Sequence, residues 1–213
     1  MCIRDRFEER LPAFMSPLPP AAPPPAEPHV LVLDGEEPFV PWEPESAGSK
    51  EMLDRIANPR GAERVRTVLV AGVEAEGPVH LDRLCRLTAA AFGLSRVVEK
   101  RRDALAELLP DGTRHGDFVW PERLERTSWT GFRRDPGAER PLEHVAPEEV
   151  GNAMVALCRA SAGMTRDELF TATLEVFGFR RRTAAQTAVL EVSLAAATSA
   201  DRLSTSPTGL ITA

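Results

Sequence analysis

The sequence predicts a mainly α-helical protein with short β-hairpins, arranged as two tandem winged-helix units. Three observations predict it. The step Phe92-Gly93-Leu94 recurs as Phe177-Gly178-Phe179, 85 residues further on. Apolar stripes of helical spacing lie before and after both copies at that same offset. Prolines, which break helices, crowd elsewhere: 11 of the 19 fall in residues 1–45.

Residues 1–50 read as a Pro-rich acidic linker. Pro17–Pro28 holds seven prolines, which favour extended polyproline II over any packed element. Two short apolar patches, Val30–Leu33 and Phe39–Trp42, are too brief to fold alone. They either dock on the body as extended segments or belong to a disordered tail. Met1–Arg6 reads as a translated assembly scar, and the chain is then expected to be a piece of something longer.

The first winged-helix unit is expected over residues 51–126. Val65, Val68, Leu69, Gly72 and Val73 place one stripe on one face of a first helix, about Ala62–Glu74. Gly77-Pro78 breaks it. A second helix covers about Leu81–Phe92, and Gly93 sits where a C-terminal cap needs positive φ. A third is expected over Arg96–Leu109. Pro110-Asp111-Gly112 then turns into a hairpin through Arg114–Trp120.

Residues 127–145 form a connector. Trp129, Phe132, Pro136-Gly137 and Pro141 mark it as an ordered crossing rather than a flexible spacer. The second unit, 146–213, repeats the grammar. Its first helix is expected over Pro147–Ala160, with Pro147 at the first helical position. The second covers Arg166–Phe177, with Thr165 and Glu168 making a capping box; the third covers Thr183–Ala197, with Thr183 and Gln186 making another. A hairpin from Leu203 to Thr212 follows. Helix, turn, helix, turn, helix, ribbon is the order of a winged helix.

Charge is as uneven as proline. The whole chain carries −6, but residues 1–50 hold nine Asp/Glu against four Lys/Arg, so the remainder is close to neutral. The acidic total therefore says little about the surface of the body. No apolar run approaches the ~20 residues of a membrane span. Cys2, Cys85 and Cys158 form no C-x-x-C pair, which points to a reducing cytoplasm.

Candidate contact residues lie at the third helices. Arg96, Lys100 and Arg101 belong to the first, and Arg180, Arg181 and Arg182 open the second. Lys and Arg at such positions neutralise nucleic-acid phosphates. The alternative is a solvated face paired with Glu99, Asp103 and Glu107; the Arg triplet has no acidic residue within three positions. The wing tip Thr113-Arg114-His115 is a further candidate contact. No metal or cofactor is expected, because His29, His80, His115 and His144 share no ligand spacing. Cys85 and Cys158 fall on apolar stripes as buried thiols. Phosphate-loop, nucleophile-elbow and zinc-protease motifs are absent, so no catalytic activity is expected. Asp82 and Asp167, equivalent in the repeat, suit the positive end of a helix dipole.

Four stretches carry a family resemblance. These are Val73–Leu84, Gly116–Pro121, Pro141–Val150 and Asp167–Gly178, with Pro38–Trp42 as an entry segment. Together they resemble the uncharacterised C-terminal domain of large bacterial, often actinobacterial, superfamily I helicase-like proteins, over about residues 38–213. In that family a helicase core and a restriction-endonuclease-like domain precede the domain. The resemblance implies a non-catalytic accessory module, with DNA and those upstream domains as partners. A protein-interaction or dimerisation module is the alternative, since a winged helix does not fix function.

Overall fold

The computed structural model describes residues 32–56 and 58–213. The Met1–Arg6 opening, the Pro17–Pro28 tract, Cys2 and His29 lie outside the described residues. The described chain runs β1 (Glu36–Pro38), α1 (Lys50–Asp54), α2 (Pro59–Glu76), β2 (Val79–His80), α3 (Leu81–Ala91), α4 (Glu99–Ala106), β3 (Arg114–His115), β4 (Phe118–Val119) and β5 (Phe132–Arg134). A one-turn 3-10 helix (Leu142–His144), α5 (Pro147–Ser161), α6 (Arg166–Val176), α7 (Ala184–Ser199), β6 (Ser204–Thr205) and β7 (Ile211–Thr212) complete it. The protein is mainly helical with a few short strands.

The repeat read from the sequence is present in the backbone. Helices α3 and α6 each have 11 residues and start at equivalent positions. Each ends at a phenylalanine followed by a positive-φ glycine, Gly93 at 78° and Gly178 at 81°. Ahead of α3, Val79 pairs antiparallel with Val119 of β4; ahead of α6, Met164 bridges Ile211 of β7. Strand order is β2-β4-β3 in the first repeat, and β6 pairs β7 in the second.

Two buried apolar clusters follow the two repeats. Val65, Leu69, Leu84, Phe92, Leu105 and Val119 belong to one; Val150, Met154, Leu169, Phe177, Leu190 and Ile211 belong to the other. Fully burying each such side chain stabilises by ~1.5–3 kcal/mol, an upper bound given a compact unfolded state. The stripes set which face turns inward, with one departure. Helix α5 is buried nearly all round, from Glu149 through Ala156. Its second side is covered by the connector, where the Asn152 amide donates to the carbonyls of Trp129 and Gly131 at 3.0 and 2.7 Å.

Part of the stretch read as linker lies along the body. β1 pairs in parallel with β5, and Leu33 enters the second cluster. Trp42 packs over Gly72 of α2, where an added Cβ would sit 2.6 Å from the indole. The Trp42 amide donates to Glu76 at 2.6 Å. Proline bounds this segment but does not prevent a three-residue edge pairing.

A buried ionic network joins the repeats. Glu149 of α5 accepts from Arg133 (2.6 Å) and Arg140 (3.1 Å); Glu76 of α2 accepts from Arg83 of α3 (2.6 Å); Asp135 lies 3.5 Å from Arg140. The Phe39 ring sits among the three guanidiniums, with Arg140 4.0 Å from its centroid. Three cations meet three carboxylates, so the buried charge balances. Burial pushes the Glu149 carboxyl up, but Arg133 and Arg140 outweigh it and hold the group below the usual carboxylate range.

Candidate functional site

The third helix of the first repeat is shorter than its sequence suggests. Residues 95–98 are non-helical, Val98 is the N-cap, and α4 has eight residues. Arg96 therefore stands exposed in the turn rather than on a helix, and Lys100 is exposed in the first turn of α4. Arg101 reaches back to pair with Asp54. Arg102 pairs with Asp82 at the start of α3, with Asp103 at 3.5 Å and Asp117 at 3.8 Å behind it. Of the basic residues on this turn and α4, these pairs leave Arg96 and Lys100 with no ion pair among the described residues; Arg86 of α3, close by, has none either.

Between α3 and this turn lies an open cleft of about 600 Å³, lined by Arg86, Ser95, Arg96 and Glu99 with Cys85 at its floor. Burial pushes the Cys85 thiol up to about 12 and Cys158 up to about 11. Neither supplies a thiolate nucleophile at neutral pH.

In the second repeat Thr183 caps α7 through its box with Gln186, so the helix starts at Ala184, two residues after the Arg triplet ends. Arg180 and Arg181 are exposed and unpaired among the described residues. Arg182 donates to Asp167 at 3.0 Å and lies over the Phe170 ring. Sequence spacing hides this partner, because Asp167 sits a helix away. The repeat thus pairs Asp82 and Asp167 alike with an arginine near the third helix, in addition to their place at helix N-termini.

The faces of the third helices differ. The solvent side of α4 carries Glu99, Lys100, Asp103 and Glu107. The solvent side of α7 carries Ala184, Ala185, Ala188, Val192, Ala195 and Ala196, with Thr198 and Ser199 in its last turn. Its one carboxylate, Glu191, is paired with Arg166. Basic charge therefore lies in the turn before α7, and in the first repeat it lies in the turn at Arg96 and in the first turn of α4. At the β3–β4 hairpin Thr113 turns inward to bond Pro110, and Arg114 folds back to the Gly116 carbonyl at 3.0 Å.

Sequence reasoning missed one constellation. His80 of β2 and His144 of the 3-10 helix stack at 4.0 Å with their planes 8° apart, and Asp82 is close by. The Nδ1 of His80 accepts the Asp82 backbone N–H at 3.2 Å, capping α3. Parallel ring planes 4.0 Å apart do not both contain one ion. With Nδ1 accepting, the neutral His80 carries its proton on Nε2. As arranged, the three side chains pack and cap rather than coordinate. Sixty-odd residues and a connector separate the two histidines, so no local spacing signals the stack.

Residues 54–103 match the family model described as a protein of unknown function (DUF3320). This part of the chain is similar to an uncharacterised domain. The DUF3320-like stretch spans α2, α3 and the first part of α4, so it carries Arg96, Lys100 and Arg101 but not Arg180–Arg182. No curated protein and no solved structure matches the chain. No helix among the described residues is long and apolar enough to cross a membrane.

Proposed function

We propose that the chain is a non-catalytic accessory module of two tandem winged-helix units that contacts nucleic-acid phosphates. The order helix, strand, helix, helix, hairpin in the first repeat, with a single bridge at Met164 in place of the strand in the second, supports the winged-helix reading. The observation that carries the function is the pair Arg180–Arg181. Both are exposed, both lack an acidic partner among the described residues, and both precede the positive end of a 16-residue helix. Arg96 and Lys100 supply the equivalent contact in the first repeat. Arg101 and Arg182 contribute only by exchanging an aspartate for a phosphate. Because the first half of α7, next to Arg180 and Arg181, presents Ala184, Ala185, Ala188 and Val192 rather than donors or acceptors, the contact is sequence-independent. By the family resemblance, the module would hold DNA for helicase and endonuclease-like domains preceding it in a cytoplasmic parent protein.

The test is a duplex titration across a salt series. Arg180→Ala with Arg181→Ala should weaken binding and reduce the slope of log K against log salt by about 0.9 for each lost contact. Unchanged affinity and slope would remove the proposal.

A second reading, a protein-docking module, has its own observation. The mostly apolar outer face of α7 borders a hollow of about 260 Å³ lined by Phe118, Val145, Pro147, Val189 and Val192, with Glu143 at its edge. Light scattering beside the titration separates the two: a stable dimer that ignores duplex at low salt favours docking.

A further inference from the structure

We propose that His80 and His144 form a proton-sensitive latch that holds α3 of the first repeat against the connector. The geometry rests on two contacts made by one ring. His80 Nδ1 caps α3 by accepting the Asp82 N–H, and the ring face lies flat on His144. An imidazolium has no lone pair on either nitrogen. Protonating His80 therefore removes the cap outright, and it also sets a cation face to face with a second titratable ring.

The caps on the other long helices do not share this property. Asn58 caps α2, Thr165 caps α6 and Thr183 caps α7, all through side-chain oxygens that do not titrate near neutrality. Thr165 is the repeat equivalent of His80. The latch is thus confined to the first repeat.

The surroundings of the pair are mixed in charge. Burial is the main influence on His80 and lowers its pKa; Asp82 of α3 and Asp117 of the β3–β4 turn act to raise it, and Arg102 of α4 to lower it. Burial also lowers His144 most, followed by His80 itself and Arg83, with Asp82 and Glu143 opposing. Phe118 closes the side of His80, edge-on at 5.3 Å. Both rings are therefore neutral at pH 7, with the latch closed.

The sign follows. A histidine whose folded value lies below its unfolded one, ordinarily ~6.5, adds stability that is complete above the unfolded value. That stability is lost as pH falls through the folded value. The latch closes above about pH 6.5 and opens progressively below it.

The experiment compares wild type with His80→Asn, whose side chain caps a helix without titrating. Between pH 7.5 and 5.5 the wild-type melting temperature should fall further than that of the variant, by about 2–4 °C for a lost cap in a chain of this size. Parallel falls in the two proteins overturn the proposal. Amide exchange on the unmutated protein, corrected for intrinsic rates, gives a second reading. Protection at the start of α3 should drop on acidification while that of α6 holds; equal changes in both helices overturn the latch. His144→Gln keeps the cap and removes the second ring, and should retain part of the pH dependence. A fully flat response in that variant would also count against the cap.

Discussion

The two repeats share a frame and differ at what they present to solvent. Helices α3 and α6 have equal length, equivalent starts and the same Phe-Gly ending. Helices α4 and α7 start at equivalent positions but run to eight and 16 residues. The first carries alternating charge outward and the second carries alanine and valine. Packing demands explain most of the constant part, because three of the matching pairs are buried, Leu84 with Leu169, Thr88 with Thr173 and Phe92 with Phe177; the fourth, Asp82 with Asp167, is exposed and holds an arginine in each repeat. No such demand acts on the outer face of the third helix. Divergence there is where different partners, or different modes of contact, would be written.

The largest expected effect tests whether the repeats stand alone. If each were an independent bead, removing the charge that joins them would cost little. The structure implies the opposite. Glu149→Ala leaves Arg133 and Arg140 buried beside an empty site, and breaking a buried pair in this way costs about 3–5 kcal/mol. Urea unfolding should show that loss in a single transition that includes both repeats. A loss below ~1 kcal/mol, or two separated transitions, would restore the bead picture. Acid gives the same test without mutation. Glu149 has a folded value below the usual carboxylate one, so its stabilisation is complete above pH ~4.5 and disappears as pH falls through the folded value.

The glycines sharpen the comparison at the next level. Gly93 and Gly178 both take positive φ, so alanine at either meets left-handed strain of about 1–2 kcal/mol. Their surroundings differ. Nothing lies within 4 Å of a Cβ built at Gly93, whereas one at Gly178 would be 2.4 Å from the Asp135 carbonyl oxygen and 2.8 Å from the Ala138 nitrogen. Gly178→Ala should therefore destabilise clearly more than Gly93→Ala in thermal melts. Equal effects would mean the connector yields at no cost, and that the turn alone requires glycine.

These contrasts mark what was legible in the sequence. The 3.6-residue stripes through Val65–Val73 and Val150–Cys158, the capping boxes at Thr165 and Thr183, and the Phe-Gly stops are local signals, and each element stands within a few residues of where they put it. The α4 start lies three residues after Arg96, following an extended Val98 whose side chain offers no cap. What local pattern does not carry is long-range pairing. Nothing near Glu149 announces Arg133 and Arg140, nothing near Arg182 announces Asp167, and His80 and His144 meet only through the crossing of the connector. The candidate contact residues were legible as basic residues. Which of them are already occupied was not.

That last distinction supports the smallest prediction, which isolates one ion pair in each repeat. Among the described residues Arg182 is ion-paired with Asp167 alone, with Glu191 further off and itself held by Arg166, while Arg102 keeps Asp103 and Asp117 when Asp82 is neutralised. Asp167→Asn should release Arg182 beside Arg180 and Arg181; Asp82→Asn should leave Arg102 held. Both aspartates are exposed enough that stability should barely move. The readout is the salt slope of duplex binding, expected to steepen by up to ~0.9 for Asp167→Asn. For Asp82→Asn it should stay nearly constant. If both variants steepen the slope equally, the two turns are equivalent contact points and the asymmetry lies only in the helices behind them. If neither does, Arg182 serves α6 through Asp167 and Phe170, and the contact surface of the second repeat reduces to Arg180 and Arg181.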